Sequence, residues 1–109
     1  MDFNEYQKLA RRTAVYPNID TNLVYPVLGL CGESGELAEK VKKMMRDDNG
    51  QLTDERREAM IKEAGDVLWY LSQLSAVLGV PFEEVARRNI EKLAARYAVG
   101  TIHGSGDNR

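Results

Sequence analysis

The sequence predicts an all-α fold, a bundle of about four helices, and three observations carry that prediction. Apolar residues recur at three- and four-residue spacing over four stretches. Those stretches are separated by clusters of Pro, Gly, Asn and Asp. No segment shows the period-two alternation of β-branched residues that a half-buried strand requires. At 109 residues the chain reads as one domain, residues 1–109, able to bury roughly 65% of the surface its unfolded form exposes. Its 43% apolar and 29% charged composition belongs to a globular chain rather than a disordered one.

Taken in order, Asp2 with Glu5 three residues later has the form of a capping box. The first helix opens there and is expected to run to about Val15, where Tyr16-Pro17-Asn18 breaks it. A loop through Asp20 and Thr21 leads to a second helix beginning between Leu23 and Pro26, since proline is tolerated in an opening turn. That helix should reach about Arg46, before Asp47-Asp48-Asn49-Gly50. Thr53 suits the N-cap of a third helix, with Asp54 and Glu55 in its first turn, extending to Leu78 and closed by Gly79. Pro81 fits the first position of a fourth helix, with Glu83 and Glu84 near its positive end, running to about Tyr97. From Gly100 the tail is Gly-rich and polar.

Composition narrows the function classes. A net charge of −2 argues against nucleic acid as the partner and favours a small molecule or another protein. One cysteine, Cys31, and one histidine, His103 in the tail, exclude Cys/His zinc spacing and an internal disulfide. Cys31 lies at the edge of an apolar face and is expected to be a small buried hydrophobe. The start, Met1 to Glu5, has no basic leader, and no segment reaches the ~20 apolar residues of a membrane span, so a cytoplasmic protein is expected.

The strongest chemical signal is a repeat. Glu33-Ser34-Gly35-Glu36-Leu37 and Glu63-Ala64-Gly65-Asp66-Val67 each place two acids three residues apart, on one helix face. A lone pair of this kind is ordinarily a solvated face, but four carboxylates from two helices have the makings of a magnesium site. Each motif also carries a mid-helix glycine, which costs about 1 kcal/mol relative to alanine, and close approach of the two helices at the acids is expected to explain it.

At about 100° per residue the second helix gathers Leu30, Ser34, Leu37, Val41, Met44 and Met45 into a stripe with Glu33 at its edge. The third gathers Met60, Ala64, Val67, Leu71, Leu74 and Leu78, with Glu63 at the same edge and Asp66 and Tyr70 just beyond. On the fourth, Asn89, Lys92 and Arg96 flank a stripe of Phe82, Ala86, Ile90, Leu93 and Tyr97. Carboxylates on two helices and cations on a third are the set a metal-bound polyphosphate needs. Trp69 falls nearly opposite its helix's stripe, which points to a subunit contact anchored by that ring, with Gln73 one turn along contributing less.

These residues resemble a known family. Gly29 to Leu37, then Glu63-Ala64-Gly65-Asp66-Val67-Leu68-Trp69-Tyr70, then Asn89-Ile90-Glu91-Lys92-Leu93 with Arg96-Tyr97, look like a MazG-type nucleoside triphosphate pyrophosphohydrolase of the all-α superfamily. The likeness covers nearly the whole chain, and its signature of Glu-x-x-Glu followed by Glu-x-x-Asp is met by Glu33, Glu36, Glu63 and Asp66. The ending Gly104 to Arg109 also resembles the close of small stand-alone members, so a complete chain is expected.

The resemblance implies conversion of a nucleoside or deoxynucleoside triphosphate to its monophosphate and pyrophosphate, as nucleotide-pool house-cleaning. Magnesium, or manganese in its place, would be held by those four acids, with Glu33 or Glu36 activating water. It implies substrate contacts from Tyr70, Asn89, Lys92 and Arg96, and homodimers or dimers of dimers. A phosphoribosyl-nucleotide pyrophosphohydrolase shares the acidic helices, and a non-catalytic dimerisation or regulatory module could share the scaffold. Four intact, mutually repelling acids argue against the latter. A di-iron bundle is excluded because its Glu-x-x-His pairs cannot be built from one tail histidine.

Overall fold

A computed structural model describes residues 1–108. Its elements are α1 (Phe3–Arg11), α2 (Val24–Asp47), α3 (Asp54–Val77) and α4 (Phe82–Ala98), with no strand among the described residues. Asp2 caps α1, its carboxylate accepting from Glu5 N at 2.7 Å. The helix stops four residues short of the expected Val15. Thr13 Oγ1 donates to Ala10 O at 2.9 Å, so a side chain takes up a terminal carbonyl and the chain turns away. Thr53 caps α3 by accepting from Arg56 N.

Helices α2 and α3 form an antiparallel hairpin. Contacts run in opposite senses along them: Asp48 with Arg56, Lys40 with Glu63, Tyr25 with Tyr70. Asn49 (φ 55) and Gly50 (φ 74) in the left-handed region let the connection reverse in few residues.

Helix α1 crosses the far end of α3 and also holds the start of α4. Pro81 is the N-cap of α4, not its first helical residue, and has no side-chain acceptor to offer. Gln7 Oε1 accepts from Phe82 N and Asn4 Oδ1 from Glu83 N, both at 3.0 Å, so α1 satisfies the donors that Pro81 leaves open. The small core consists of Ala10, Tyr16, Pro26 and Phe82, with Ser72, Gln73 and Ser75 enclosed. Gln73 is wholly buried and accepts from Arg11 Nη1 at 2.9 Å, while Arg11 Nη2 holds Asp20 at 2.6 Å and so pins the α1–α2 loop. Gln73 is therefore a core residue, not the surface neighbour of Trp69 that its position on the wheel predicted.

The four helices do not close into one four-helix core. Helix α4 touches α1 and α3 but not α2. The radius of gyration is 16.7 Å, against about 13 Å for a compact chain of this length. The accessible surface is 7700 Å², where about 6100 Å² is usual for a monomer of this mass. Part of each predicted stripe is consequently open, with Met45, Leu78, Ile90 and Tyr97 largely exposed beside Val24 and Leu28.

Candidate metal and nucleotide site

Midway along the hairpin, one carboxylate oxygen each from Glu33 on α2 and from Glu63 and Asp66 on α3 lie within 4.8 Å of one another. The spacing of three residues on α3 and the antiparallel pairing with α2 bring them to one flank, as their wheel positions require. Glu33 is half-buried, and its carboxyl is pushed up from the ordinary value. Burial is the main cause, followed by a hydrogen bond with Glu63 and the charges of Asp66, Glu63 and Glu36. Three carboxylates converging from two helices are a crowded set of hard oxygen donors that a small divalent cation would relieve, so these residues fit a metal. Lys40 Nζ, 3.6 Å from Glu63, supplies a balancing charge.

An aromatic wall rises beside the acids. Trp69, one turn beyond Asp66, donates from Nε1 to Thr13 Oγ1 at 2.8 Å and meets Tyr70 edge-on at 5.0 Å. Tyr16 approaches Trp69 at 6.3 Å and stacks on Tyr25 at 4.3 Å. The tryptophan is thus half-covered by the segment after α1, which the helical wheel of α3 could not show, so its position is no longer an argument for a subunit contact. Thr13, Glu33, Asp66, Trp69 and Tyr70 line a cleft of about 330 Å³. Burial chiefly, with Tyr25, Glu33 and Asp66 beyond it, pushes the Tyr70 hydroxyl up; burial and Asp66 do the same to Tyr6. The Tyr16 hydroxyl is buried without a hydrogen-bond partner among the described residues.

The glycines distribute differently from expectation. A Cβ on Gly35 or Gly65 would meet nothing within 4 Å, so close approach within one chain does not account for them. Gly29 is where the helices do approach: a Cβ there would run into the Tyr70 ring. Cys31 is exposed rather than buried, because among the described helices α2 packs only on α3 and the edge carrying Cys31 is left uncovered.

Of the other residues singled out, Glu36 is exposed and lies outside the three-acid group, although its charge reaches Glu33. Asn89 is exposed on α4 and lines a separate groove with Leu78, Val85 and Arg88. Lys92 and Arg96 pair with Asp107 of the tail. Among the described residues none of the three bonds to the acids: Asn89 and Lys92 face the groove beside Leu78, Lys92 and Arg96 meet Asp107, and α4 makes no contact with α2, which carries Glu33 and Glu36. Thr13, Tyr16 and Tyr25 belong to the site's surroundings but not to the motifs; they sit before or at the opening of α2, where periodicity is silent.

A family model described as a MazG nucleotide pyrophosphohydrolase domain matches residues 26–99. The chain is 45% identical over 114 residues to the "Gene 37 protein" of Mycobacterium phage L5, with both chains covered in full. No solved structure matches it.

Proposed function

The chain belongs to the MazG nucleotide pyrophosphohydrolase family, and on that premise we propose that it converts a nucleoside or deoxynucleoside triphosphate and water to the monophosphate and pyrophosphate. The observation that carries this is the meeting of Glu33, Glu63 and Asp66 at the rim of a cleft walled by Trp69 and Tyr70. The acids would hold Mg²⁺, or Mn²⁺, which when bound neutralises charge developing on the phosphate oxygens. Trp69 and Tyr70 offer aromatic faces to a nucleobase, held edge to face so that neither ring needs ordering on binding. Glu36 keeps its oxygens free by standing outside the cluster, and it or Glu33 orients the attacking water and takes its proton.

Asn89, Lys92 and Arg96 are proposed to reach the phosphates from a second copy, because within one chain they face a separate groove and the tail, and α4 makes no contact with α2, which carries Glu33 and Glu36. About 1600 Å² of surface beyond that of a compact monomer, rich in exposed Val24, Leu28, Ile90 and Tyr97, supports a homodimer or dimer of dimers. No helix among the described residues is long and apolar enough to cross a membrane, consistent with work on the cytoplasmic nucleotide pool.

Incubation with a panel of nucleotides and Mg²⁺, read by phosphorus NMR, tests the proposal. Monophosphate with pyrophosphate is expected. Orthophosphate with a nucleoside diphosphate would place the cut at the γ-phosphate and overturn it.

A further inference from the structure

The C-terminal tail folds back onto the helix it leaves. Thr101 N donates to Arg96 O at 2.8 Å, and the chain turns through Gly100 and Gly106, both at φ 75, so that Asp107 returns beside α4. Asp107 Oδ1 accepts from Lys92 Nζ and Arg96 Nη2, each at 3.1 Å. Arg96 Nη2 also donates to the carbonyls of Asp107 at 3.1 Å and Gly106 at 3.5 Å.

The two sides of this contact are unlike each other. The Arg96 side chain is 7% exposed and that of Asp107 80% exposed, so the cation is built into the fold while its carboxylate partner reaches it from solvent. Two positive charges face one negative charge. The hydrogen bonds of Arg96 to the described residues all run through Nη2, which leaves Nε and Nη1 of the guanidinium fork to spare. A cavity of about 250 Å³ opens between Lys92, Ala95, Arg96, Val99 and Asp107. A phosphate group answers all three features: it carries more charge than a carboxylate, presents more oxygens, and engages Arg in a bidentate manner.

We propose that Asp107 is a competing ligand, carried by the chain itself, for the phosphate-contacting pair Lys92 and Arg96, and that it is displaced when a diphosphate group binds there. Diphosphate as the ligand rests on the pyrophosphohydrolase reading; the competition does not. The tail then lowers the affinity of the site by the fraction of time Asp107 occupies it. Its tether keeps the local carboxylate concentration high, so inhibition by released pyrophosphate is blunted without a second molecule.

Metal-free full-length protein labelled with ¹⁵N and titrated with inorganic pyrophosphate provides the test, with a nucleoside triphosphate titration alongside. Pyrophosphate is expected to move the Gly104 and Gly106 amide resonances. A response to the triphosphate alone would assign the site to the substrate's terminal phosphates rather than to released product. Asp107→Asn should tighten binding about tenfold, and Lys92→Gln should weaken it, with helix content unchanged in both because each side chain lies on the surface. Equal affinity of wild type and Asp107→Asn, or tail amides indifferent to both ligands, would overturn the proposal and leave the contact a structural anchor. Tail displacement without turnover would retire the enzymatic reading and keep the anion site; turnover with an indifferent tail would do the reverse.

Discussion

Replacing Gly29 with alanine isolates one steric contact. Alanine within a helix gains about 1 kcal/mol over glycine from propensity alone. At Gly29 the added Cβ meets the Tyr70 ring, and overpacking of this kind costs about 1–3 kcal/mol. Gly32, one turn along α2, has nothing within 4 Å of its Cβ and serves as the reference. Because both variants share the propensity gain, their difference is the steric cost itself, about 1–3 kcal/mol. For a domain of this size each kcal/mol moves the melting temperature by about 4–8 °C, so Gly29→Ala should melt at least about 4 °C below Gly32→Ala. In a Tyr70→Ala background the deficit should vanish, which a double-mutant cycle measures directly. Equal melting of the two single variants, or a deficit that survives removal of the Tyr70 ring, would refute the reasoning.

Gln73→Ala removes the enclosed amide that receives Arg11 and donates to Ser72, and should cost about 2–4 kcal/mol in urea unfolding; a loss below about 1 kcal/mol would contradict its place in the core. Glu84 bonds to both Arg87 and Arg88, which hold its carboxyl down at about 2. Its folded value lies below the unfolded one, so its support for α4 is present above the ordinary carboxylate range and disappears as pH falls through about 2; carboxyl NMR showing an ordinary Glu84 titration would remove this support. Asp66→Asn should abolish turnover while leaving the melting temperature unchanged or raised, since it removes one of three crowded charges; retained turnover would take Asp66 out of the site.

Helix boundaries were legible wherever a side chain bonds locally to the backbone. Asp2 and Thr53 announced α1 and α3, and Gly79 stands at φ 75 just past α3 as its position implied. Three of the four acids were brought together for a related reason: a spacing of three along α3 and an antiparallel hairpin put Glu33, Glu63 and Asp66 on one flank, while Glu36, at the same spacing on α2, stands outside the group. Features set by segments without periodicity stayed hidden. The cover over Trp69 comes from Thr13 and Tyr16, in a stretch whose path depends on Arg11 reaching Asp20 and Gln73. The pairing of Lys92 and Arg96 with Asp107 depends on the turns of the tail, which helix spacing does not encode.

The two hydrogen bonds by which Asn4 and Gln7 hold the start of α4 join residues 79 and 75 positions apart. Helix α1 lies wholly outside the family match at residues 26–99, yet it caps α4, and Thr13 just beyond it closes one side of the cleft. A chain trimmed to the matched span would keep every acid and lose both. On the ribosome the first helix emerges long before its client exists, so the hairpin can form early while this junction waits for α4 to leave the exit tunnel. The cleft itself needs none of that delay, since Thr13, Glu33, Asp66, Trp69 and Tyr70 all precede α4, and what comes late is the tie between the two ends of the chain.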